Sequence, residues 1–536
     1  MKNGDWRAES VLFRATGALL AGLVLLLVGW VIFSAMANAG GAWRDVLENR
    51  LLGHLWQTLL LASGVFCGAL VIGLPAAWLV AMHDFVGRGI MRWLMVLPLA
   101  MPSFVAAGAY LEILNGMIPF YVWVRSSFGI EAFLWVQKIM PWVFSIVILS
   151  ATLFPYIYLS CLAIFERQAA DAFEVSRLLG VSGWNGFFRV GLPLARPAIA
   201  AGGGLVLMET FNDYGVVSAF GLTTLTPGIF RAWAEGEWIV AMRLALLLMV
   251  IASVILAVEK FQSGRKRFVS SDTERPLARV PLRHRNASGV WLLAMVPVAL
   301  GFLLPCMQML EWLWLTLHLL DWQGHFSAAW HSLSLALGAA LLVVLSAAIL
   351  VVGARVLRSG MLKHAQAISI AGYSLPSAMV AVGVGAIVTS ISQSSQLFAG
   401  LALSASVTGL MLAYWVRFMA VAVQPLSAGL TKVPETLGEA ARMLGERPWG
   451  IFFKIEIPLM WPAFFVAAAL AFVDVFKELT LTLVLRPFDF ETLATRAYRL
   501  TDEGRLAEAA FPGLSMVVLS LLGLIPLLRW MGRIRA

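Results

Sequence analysis

The chain has 536 residues, of which 60% are hydrophobic and only 13% are charged. Soluble proteins average about 25% charged residues, so this chain lacks the polar surface that a large soluble enzyme needs. The net charge of +9 is typical of positive loops on the cytoplasmic side of a membrane, and we predict no nucleic-acid partner. Three cysteines and seven histidines are scattered along the chain. Their spacing predicts neither a disulfide framework nor a metal site.

Twelve apolar stretches are long enough to cross a bilayer, which takes about 20 residues when the chain is helical. They lie at residues 15–36, 52–82, 93–114, 141–165, 197–220, 238–258, 290–317, 330–353, 366–391, 398–424, 459–485 and 511–528. When the N-terminus is placed in the cytoplasm, the loops on that side hold 27 Lys and Arg residues and the opposite loops hold 9. This asymmetry predicts a multi-pass membrane protein with both termini cytoplasmic.

An internal repeat divides the chain into two halves. Residues 174–198 read EVSRLLGVSGWNGFFRVGLPLARPA, and residues 439–463 read EAARMLGERPWGIFFKIEIPLMWPA. Eleven of these 25 positions are identical at a constant offset of 265 residues, which indicates duplication. We therefore predict six-span halves at 1–261 and 289–536. The basic, proline-broken stretch 262–288 is then a cytoplasmic linker that touches anionic lipid head groups.

The register of the repeat extends beyond these loops. At the same offset, three polar residues of the first half fall on three of the second: Glu209 on Asp474, Asp213 on Glu478 and Arg231 on Arg496. Nearer the start of each half, Thr58 matches Ser332 at an offset of 274. We assign the nine-residue difference to a longer outside loop at 115–140 in the first half.

Each repeat loop, at 166–193 and 431–458, is predicted to hold a short helix that ends at a glycine, followed by an amphipathic stretch up to a proline. Leu178 and Leu179 lie on one side of the first of these helices, opposite its polar residues. The pattern favours a protruding helix that inserts into a groove on a soluble partner. Two such helices imply a partner that is a dimer or has two similar domains. The alternative is that the loops only pack on their own bundle.

The repeat loops resemble the permease signature of bacterial ABC importers, a Glu-Ala-Ala triplet followed by a glycine and an Ile-x-Leu-Pro segment. The first copy has Val175 and Ser176 in place of the two alanines. The resemblance implies the type I ABC importer permease fold in a bacterial inner membrane, all-α with about twelve transmembrane helices. It also implies that each loop seats on an ATPase subunit through the residues that match the signature, which are Glu174, Gly180, Pro193, Glu439, Ala440, Ala441, Gly445 and Pro458.

The chain carries no nucleotide-binding motif of its own, because a phosphate-cradling loop needs a Gly-Lys pair and none occurs. We therefore predict a transport subunit rather than an enzyme, with no cofactor bound by this chain. The resemblance implies two further partners besides membrane lipids. A homodimeric ATPase would carry ATP and magnesium on the cytoplasmic side, and a periplasmic or surface substrate-binding protein would dock on the outer face.

Charged side chains inside spans are costly and therefore point to a functional site. The fifth span holds Glu209, Asn212 and Asp213, and the eleventh holds Asp474, Lys477 and Glu478. Residues three or four apart share one helix face, and the interface between repeats is the expected place for a pathway. Four acids against one lysine favour passage of a cation or a metal complex. The alternative is that Lys477 pairs with an acid and the group only stabilises the bundle.

The outer loops and their motifs suggest a subfamily. Arg231, Glu235 and Arg496 are candidates for docking the binding protein, although a merely solvated loop is the alternative. The segments FNDYG, FKELT and RPFDFETLATR resemble those of fused permeases from ferric-iron importers. That resemblance implies iron(III) or a related cationic solute. Relatives that carry thiamine, polyamines or phosphonates share the architecture, so the substrate stays open.

A different class of transporter also has two six-span halves. The segment Asp84-Phe-Val-Gly-Arg88 resembles part of a loop motif of the ion-driven major-facilitator carriers. Nothing like it recurs at 355–364, and the repeat loops have no role in such a carrier.

Overall fold

The protein is a bundle of helices, seen in a computed structural model that describes residues 3–37, 40–167, 173, 175–176, 178–181, 183–264, 279–282, 284–394 and 402–533. The first half contains helices Asn3–Ala35, Gly40–Asp45, Leu51–Met82, Arg88–Leu94, Ser103–Gly116, Ile118–Arg167, Gly183–Gly186, Leu192–Asn212, Gly215–Ala219, Leu225–Ala234 and Trp238–Gly264. The second contains His284–Val298, Leu304–Thr316, Trp322–Val356, Gly360–Ala371, Ser377–Ser394, Ala402–Leu430, Glu435–Met443, Pro448–Ile451, Ile457–Leu459, Trp461–Lys477, Thr480–Leu485, Leu493–Asp502 and Leu506–Arg533.

Shorter elements join these helices. Turns of π-helix occupy Val46–Arg50, Phe187–Gly191, Ala299–Leu303 and Phe452–Glu456, and 3-10 turns occupy Leu97–Ala100, Leu317–Leu319 and Gly372–Ser374. Nine helices of the described residues are long and apolar enough to cross a membrane, or up to twelve when three bent pairs each count as one span. The predicted all-α membrane fold of about twelve spans is confirmed.

Two of the bent pairs occupy equivalent places in the two halves. Arg88–Ala100 meets Ser103–Gly116 at 87°, and Gly360–Ser374 meets Ser377–Ser390 at 108°. A proline follows each break, Pro102 or Pro376, and disfavours helical geometry in the residue before it. That residue is extended in both cases, with ψ of 117° and 125°. The apolar stretches predicted at 93–114 and 366–391 are therefore helical, but each is sharply bent beside its proline.

The long outside loop predicted at 115–140 is helical. Ile118–Arg167 is one run of helix interrupted at Gly129, which adopts φ 86° and ψ 179°. A glycine suits this position because a side chain is strained at positive φ. Trp123, Phe128 and Trp135 are exposed on this extension. Aromatic side chains at the edge of a bilayer commonly contact the head-group region.

The leading helix of each half packs on the other half. Phe13 stacks on Trp449 with ring centroids 4.2 Å apart, and the Trp449 amide donates to Glu9 Oε2 at 3.1 Å. In return, the hydroxyl of Tyr110 in the first half donates to the carbonyl of Leu300 in the second at 2.7 Å. The two halves are therefore interlocked rather than merely side by side.

The linker ends on the first half. Val280–Pro281 forms a short parallel strand pair with His83–Asp84, in the register His83 to Val280 and Asp84 to Pro281. Within the predicted linker 262–288, residues 265–278 and 283 lie outside the described residues. The flanking helices extend into its predicted bounds, up to Gly264 on one side and from His284 on the other.

A buried acid holds this junction together. The side chain of Glu166 is only 6% exposed and accepts from Arg88 at 3.2 Å and Arg92 at 3.1 Å, with Arg279 of the linker at 4.0 Å. We expect Glu166→Ala to lower the free energy of unfolding by about 1–3 kcal/mol, because the partly buried arginines around it lose their shared carboxylate. Thermal unfolding of the purified protein would measure this. Glu131→Ala, on the exposed outer extension, is the control, and an equal loss of stability there would contradict the assignment.

Candidate functional site

Both repeat loops turn at a glycine with the same geometry. Gly445 follows helix Glu435–Met443 with φ 82°, and its amide donates to Arg442 O at 2.9 Å while that of Glu446 donates to Ala441 O at 3.0 Å. Gly180 has φ 78°, and the next amide, Val181, donates to Ser176 O at 2.8 Å. These bonds form the usual glycine cap of a helix C-terminus. The predicted helix-glycine pattern is thus present in both copies.

An apolar tip precedes each glycine. Leu178 and Leu179 are 87% and 76% exposed, and Met443 and Leu444 are 87% and 86% exposed. The two pairs occupy matching positions at the 265-residue offset. Large exposed apolar side chains commonly mark an interaction site. The tips point away from the bundle, whereas the alternative interpretation had the loops packed on it.

The second loop is anchored at its base. Arg358 pairs with Glu439, and Arg442 donates to the carbonyl of Val356. Arg355 donates to the carbonyls of Leu430 and Val433, both at 2.7 Å. These contacts tie the helix Glu435–Met443 to the ends of two spans. A displacement of the helix is therefore transmitted to the spans.

The other predicted loop residues have distinct environments. Ala441 is buried and Ala440 is exposed, while Glu174 lies outside the described residues. Pro193 and Pro458 each stand in the first turn after a π-helical turn, at Phe187–Gly191 and Phe452–Glu456. A proline lacks the amide that would otherwise extend the hydrogen-bond ladder, which suits this position. The same irregularity recurs in both halves.

The six predicted pathway residues meet at the centre of the bundle. Helix Leu192–Asn212 ends at Asp213 with φ −69° and ψ 117°, and helix Trp461–Lys477 ends at Glu478 with φ −71° and ψ 118°. The spans predicted at 197–220 and 459–485 are therefore broken at matching acids. Two small cavities of about 110 and 90 Å³ lie here. Together they are lined by Glu209, Asn212, Asp213, Asp474, Lys477 and Glu478.

Backbone donors hold the two matching carboxylates. Asp213 accepts from Val216 N at 2.8 Å through Oδ1 and from Ser103 Oγ at 2.5 Å through Oδ2. Glu478 accepts from Leu481 N at 3.1 Å. In each case the donor is the amide three residues further along the chain. The acids thereby fix the direction in which the backbone continues after each break.

The remaining polar residues tie the two halves together. Asn212 Oδ1 accepts from Ser377 N at 2.9 Å, and the Asn212 carbonyl accepts from Thr480 Oγ1 at 3.2 Å. Lys477 Nζ donates to the carbonyl of Leu99 in the first half at 3.0 Å. This polar chamber, defined by the six residues above, therefore lies on the interface between the repeats.

An arginine that was not assigned to the pathway completes the chamber. Arg417 is 2% exposed and donates to the carbonyls of Tyr373 at 3.1 Å and Leu375 at 2.9 Å. Its Nη2 lies 3.8 Å from Glu209 Oε1, which also accepts from the Tyr373 hydroxyl at 3.2 Å. The signal was available, because an arginine inside an apolar span is costly. With Arg417 included, four acids face two cations, a formal charge of −2.

Two of the outer docking candidates, Arg231 and Glu235, are exposed beside a cavity of about 170 Å³. Arg496 is only 13% exposed and pairs with Asp321 at 2.7 Å and Glu491 at 3.2 Å. Its guanidinium therefore links the outer helix Leu493–Asp502 to the segment before helix Trp322–Val356.

The structure corrects the register of the outer helices. Thr58 Oγ1 accepts from Leu225 N at 2.9 Å, and Ser332 Oγ accepts from Leu493 N at 2.7 Å. These bonds support the match of Thr58 with Ser332 and align the first residues of the two outer helices. Arg231, the seventh residue of the first, then matches Arg499, the seventh of the second. The match of Arg231 with Arg496 was wrong by three residues, because the connection before the second outer helix is longer.

The described residues contain no group of three or more His, Cys, Asp or Glu side chains placed to hold a metal ion. Three of the chamber acids, Glu209, Asp213 and Glu478, instead accept hydrogen bonds from backbone amides or hydroxyls. A substrate that crosses here would meet separate charges rather than a preformed coordination sphere.

Comparison with known families gives the two halves the same identity. The family of binding-protein-dependent transport system inner membrane components matches residues 69–261 and again residues 362–535. The chain belongs to this family. The permease therefore has two fused copies of the family's domain and the type I ABC permease fold. This family match excludes the alternative of a major-facilitator carrier, and in the structure Asp84 of the Asp84–Arg88 segment pairs with Pro281 of the linker.

Several relatives are named as transport system permease proteins. The permease is 26% identical over 483 residues to the Fe(3+)-transport system permease protein FbpB 2 of Haemophilus influenzae, which covers 89% of each chain. It is 28% identical over 206 residues to the sulfate transport system permease protein CysT of Escherichia coli, 38% of this chain and 71% of that one. A putative 2-aminoethylphosphonate transport system permease protein, PhnV of Salmonella choleraesuis, is 29% identical over 165 residues, 30% of this chain and 60% of that one.

Proposed function

We propose that the permease forms the membrane pathway of an ATP-driven importer for iron(III) or a related cationic solute. The observation that carries the choice of a cation is the polar chamber, whose four acids exceed its two cations. A chamber for sulfate would need the opposite balance, because like charges repel strongly where water is scarce. The iron-transport relative, which matches almost the whole chain, supports the same substrate.

In this proposal, the repeat loops transmit the conformational changes of the ATPase to the membrane helices. The exposed pairs Leu178–Leu179 and Met443–Leu444 enter grooves on a homodimeric ATPase, which carries the ATP and magnesium. The loops and both termini then face the cytoplasm, in agreement with the excess of Lys and Arg on that side. The halves 1–261 and 289–536 move against each other, and the linker 262–288 keeps them joined.

The matching breaks at Asp213 and Glu478 lie where the path must open and close. A helix that is already interrupted can change direction there without losing regular hydrogen bonds elsewhere. Alternating access in related transporters is a rocking of one repeat against the other around a fixed site. In this permease, the contacts of Asn212, Lys477 and Arg417 across the interface would break and re-form during each cycle.

The substrate can be tested by reconstitution. We expect vesicles that contain the permease, its ATPase and its binding protein to accumulate iron(III) only when ATP is supplied on the loop side. Thiamine, a polyamine, 2-aminoethylphosphonate and sulfate serve as competitors. Uptake of one of these compounds in place of iron(III) would reassign the substrate, and ATP-independent uptake would refute the mechanism.

The outer helices are proposed to dock the binding protein through Arg231 and Glu235, while Arg496 shapes this surface from within. We expect Arg231→Glu to weaken the affinity of the binding protein by about tenfold, because it reverses an exposed charge at the interface. Binding of the labelled protein to the permease in nanodiscs would measure this. Arg44→Glu, which is also exposed, is the matched control, and equal effects of the two variants would contradict the docking role.

A further inference from the structure

A cavity of about 580 Å³ lies behind the second repeat helix, Glu435–Met443. The helix forms one wall through Gly438, Glu439 and Arg442, and the ends of neighbouring spans form the others through Arg355 and Ser427. The volume is in the range of small-molecule sites, roughly 300–1,000 Å³. The cavity is separate from the polar chamber, because the two share no lining residue.

The floor of the cavity holds charged atoms that lack partners. The Glu456 side chain is 2% exposed, and its Oε1 lies 3.5 Å from Arg355 Nε. Its Oε2 has no hydrogen-bond partner in the part of the chain that the structure describes, and the same holds for Arg442 Nε. A buried charged group without a full set of hydrogen bonds is costly. Glu456 and Arg442, which both line the cavity, thus each keep one buried polar atom without a partner.

The first half shows that the fold does not require this arrangement. The residue that corresponds to Glu456 at the 265-residue offset is Gly191. A Cβ there would lie 2.6 Å from the ring of Trp78, which packs edge-on against Phe165, Phe173 and Phe187. An aromatic cluster thus fills in the first half the place that is polar in the second.

The unpartnered atoms define the chemistry of a ligand. An ammonium group would satisfy the Glu456 carboxylate, and a carboxylate would satisfy the Arg442 guanidinium through a charge-assisted bond. Arg358, Lys363, Glu435 and Glu439 form an exposed rim of mixed charge. A molecule with both groups, such as an amino acid, therefore complements the site better than a simple anion or cation.

We propose that this cavity binds a small aminocarboxylate and thereby fixes the second repeat helix against the ends of the spans. The ligand would contact Arg442 on the helix and Glu456 on the floor at once, so it favours one position of the helix. Binding itself is independent of the transported substrate. Its consequence for ATP turnover rests on the proposed function, in which that helix couples the ATPase to the permease.

The test uses the full-length permease in nanodiscs, with glutamate and lysine as probes. We expect either amino acid to raise the temperature of thermal unfolding in proportion to its concentration, because a ligand that binds the folded state stabilises it. Acetate, methylammonium and inorganic phosphate, which each supply only one kind of charge, should give at most a tenth of the affinity. Glu456→Gln should weaken amino-acid binding by about tenfold or more, since a charge pair of this kind is worth over 1.4 kcal/mol.

Two further variants keep the result interpretable. Ser427→Phe places a ring in the cavity without removing a charge, and it should also abolish binding. Glu446→Gln makes the same chemical change as Glu456→Gln at a residue outside the cavity lining, and it should leave binding unchanged. Equal binding by wild type, Glu456→Gln and Ser427→Phe would overturn the proposal, as would equal affinity for phosphate and glutamate. Loss of iron uptake with amino-acid binding intact would count against the proposed function alone.

Discussion

Gly445→Val is expected to abolish ATP-driven uptake while the permease still inserts in the membrane. Gly445 adopts φ 82° and caps the second repeat helix, and a β-branched residue at positive φ is strained by about 1–3 kcal/mol. Relief of that strain moves the chain after Leu444 and turns the apolar tip of Met443 and Leu444 away from its partner. Uptake and ATP hydrolysis in reconstituted vesicles would measure the effect. Deletion of residues 439–445 should have the same outcome.

Two variants separate coupling from stability. Gly129 has φ 86° on the exposed helical extension, so Gly129→Val imposes at least a similar backbone strain at a position outside the repeat loops and the outer helices. We expect it to retain ATP-driven uptake. Gly445→Asn should also retain it, because asparagine tolerates the left-handed conformation. Normal uptake by Gly445→Val would show that the glycine cap has no part in coupling.

The double variant Asp213→Asn with Glu478→Gln is expected to slow uptake of iron(III) by about tenfold or more. Each substitution keeps the oxygen that accepts from Val216 N or Leu481 N, so the breaks in the helices are preserved. The formal charge of the chamber rises from −2 to zero. A loss of 1.4 kcal/mol in the attraction for a cation already corresponds to tenfold. Initial rates of uptake at saturating ATP would measure the change.

The control removes the same two charges elsewhere. Hydrogen bonds from Arg499 and Arg505 hold the pKa of Glu503 below its ordinary value, and Glu508 accepts two hydrogen bonds from Arg505. Both carboxylates thus form ion pairs with arginines on the outer side of the bundle. Glu503→Gln with Glu508→Gln should leave the rate unchanged. Equal rates for the chamber variant and wild type would remove the chamber from the pathway.

The sequence predicted the features that depend on local pattern. Apolar length identified the spans, and the matched loops identified the duplication and the glycine caps at Gly180 and Gly445. It did not predict the bends at Met101 and Leu375. Hydropathy reports how apolar a segment is but not its direction, although Pro102 and Pro376 gave a usable signal. The extension around Gly129 was assigned to an outside loop because charged residues interrupt its apolar pattern. Hydropathy alone does not show that such a segment is helical.

The errors within the candidate site have a common origin. A constant offset aligns residues only while the connections between elements keep the same length, and the second outer helix begins three residues late. Arg499 therefore takes the place that the offset gave to Arg496. Arg417 was overlooked because the internal repeat provides no matched ion in the first half. Its role depends on carbonyls of Tyr373 and Leu375, which only the folded chain brings near.

The interlocked leading helices restrict how the two halves can diverge. Each half completes its own core with a helix from the other, through Phe13 on Trp449 and Tyr110 on Leu300. Because the two halves are covalently fused, each first half always packs against a second half and never against another first half. A residue can therefore differ between the two halves, as glutamate at 456 and glycine at 191 do, even where two identical halves could not both accommodate it. Under the proposed function, two identical ATPase subunits would thus act on two different repeat loops. When the two subunits are tethered in one dimer and inactivated one at a time, the two resulting rates of uptake should differ.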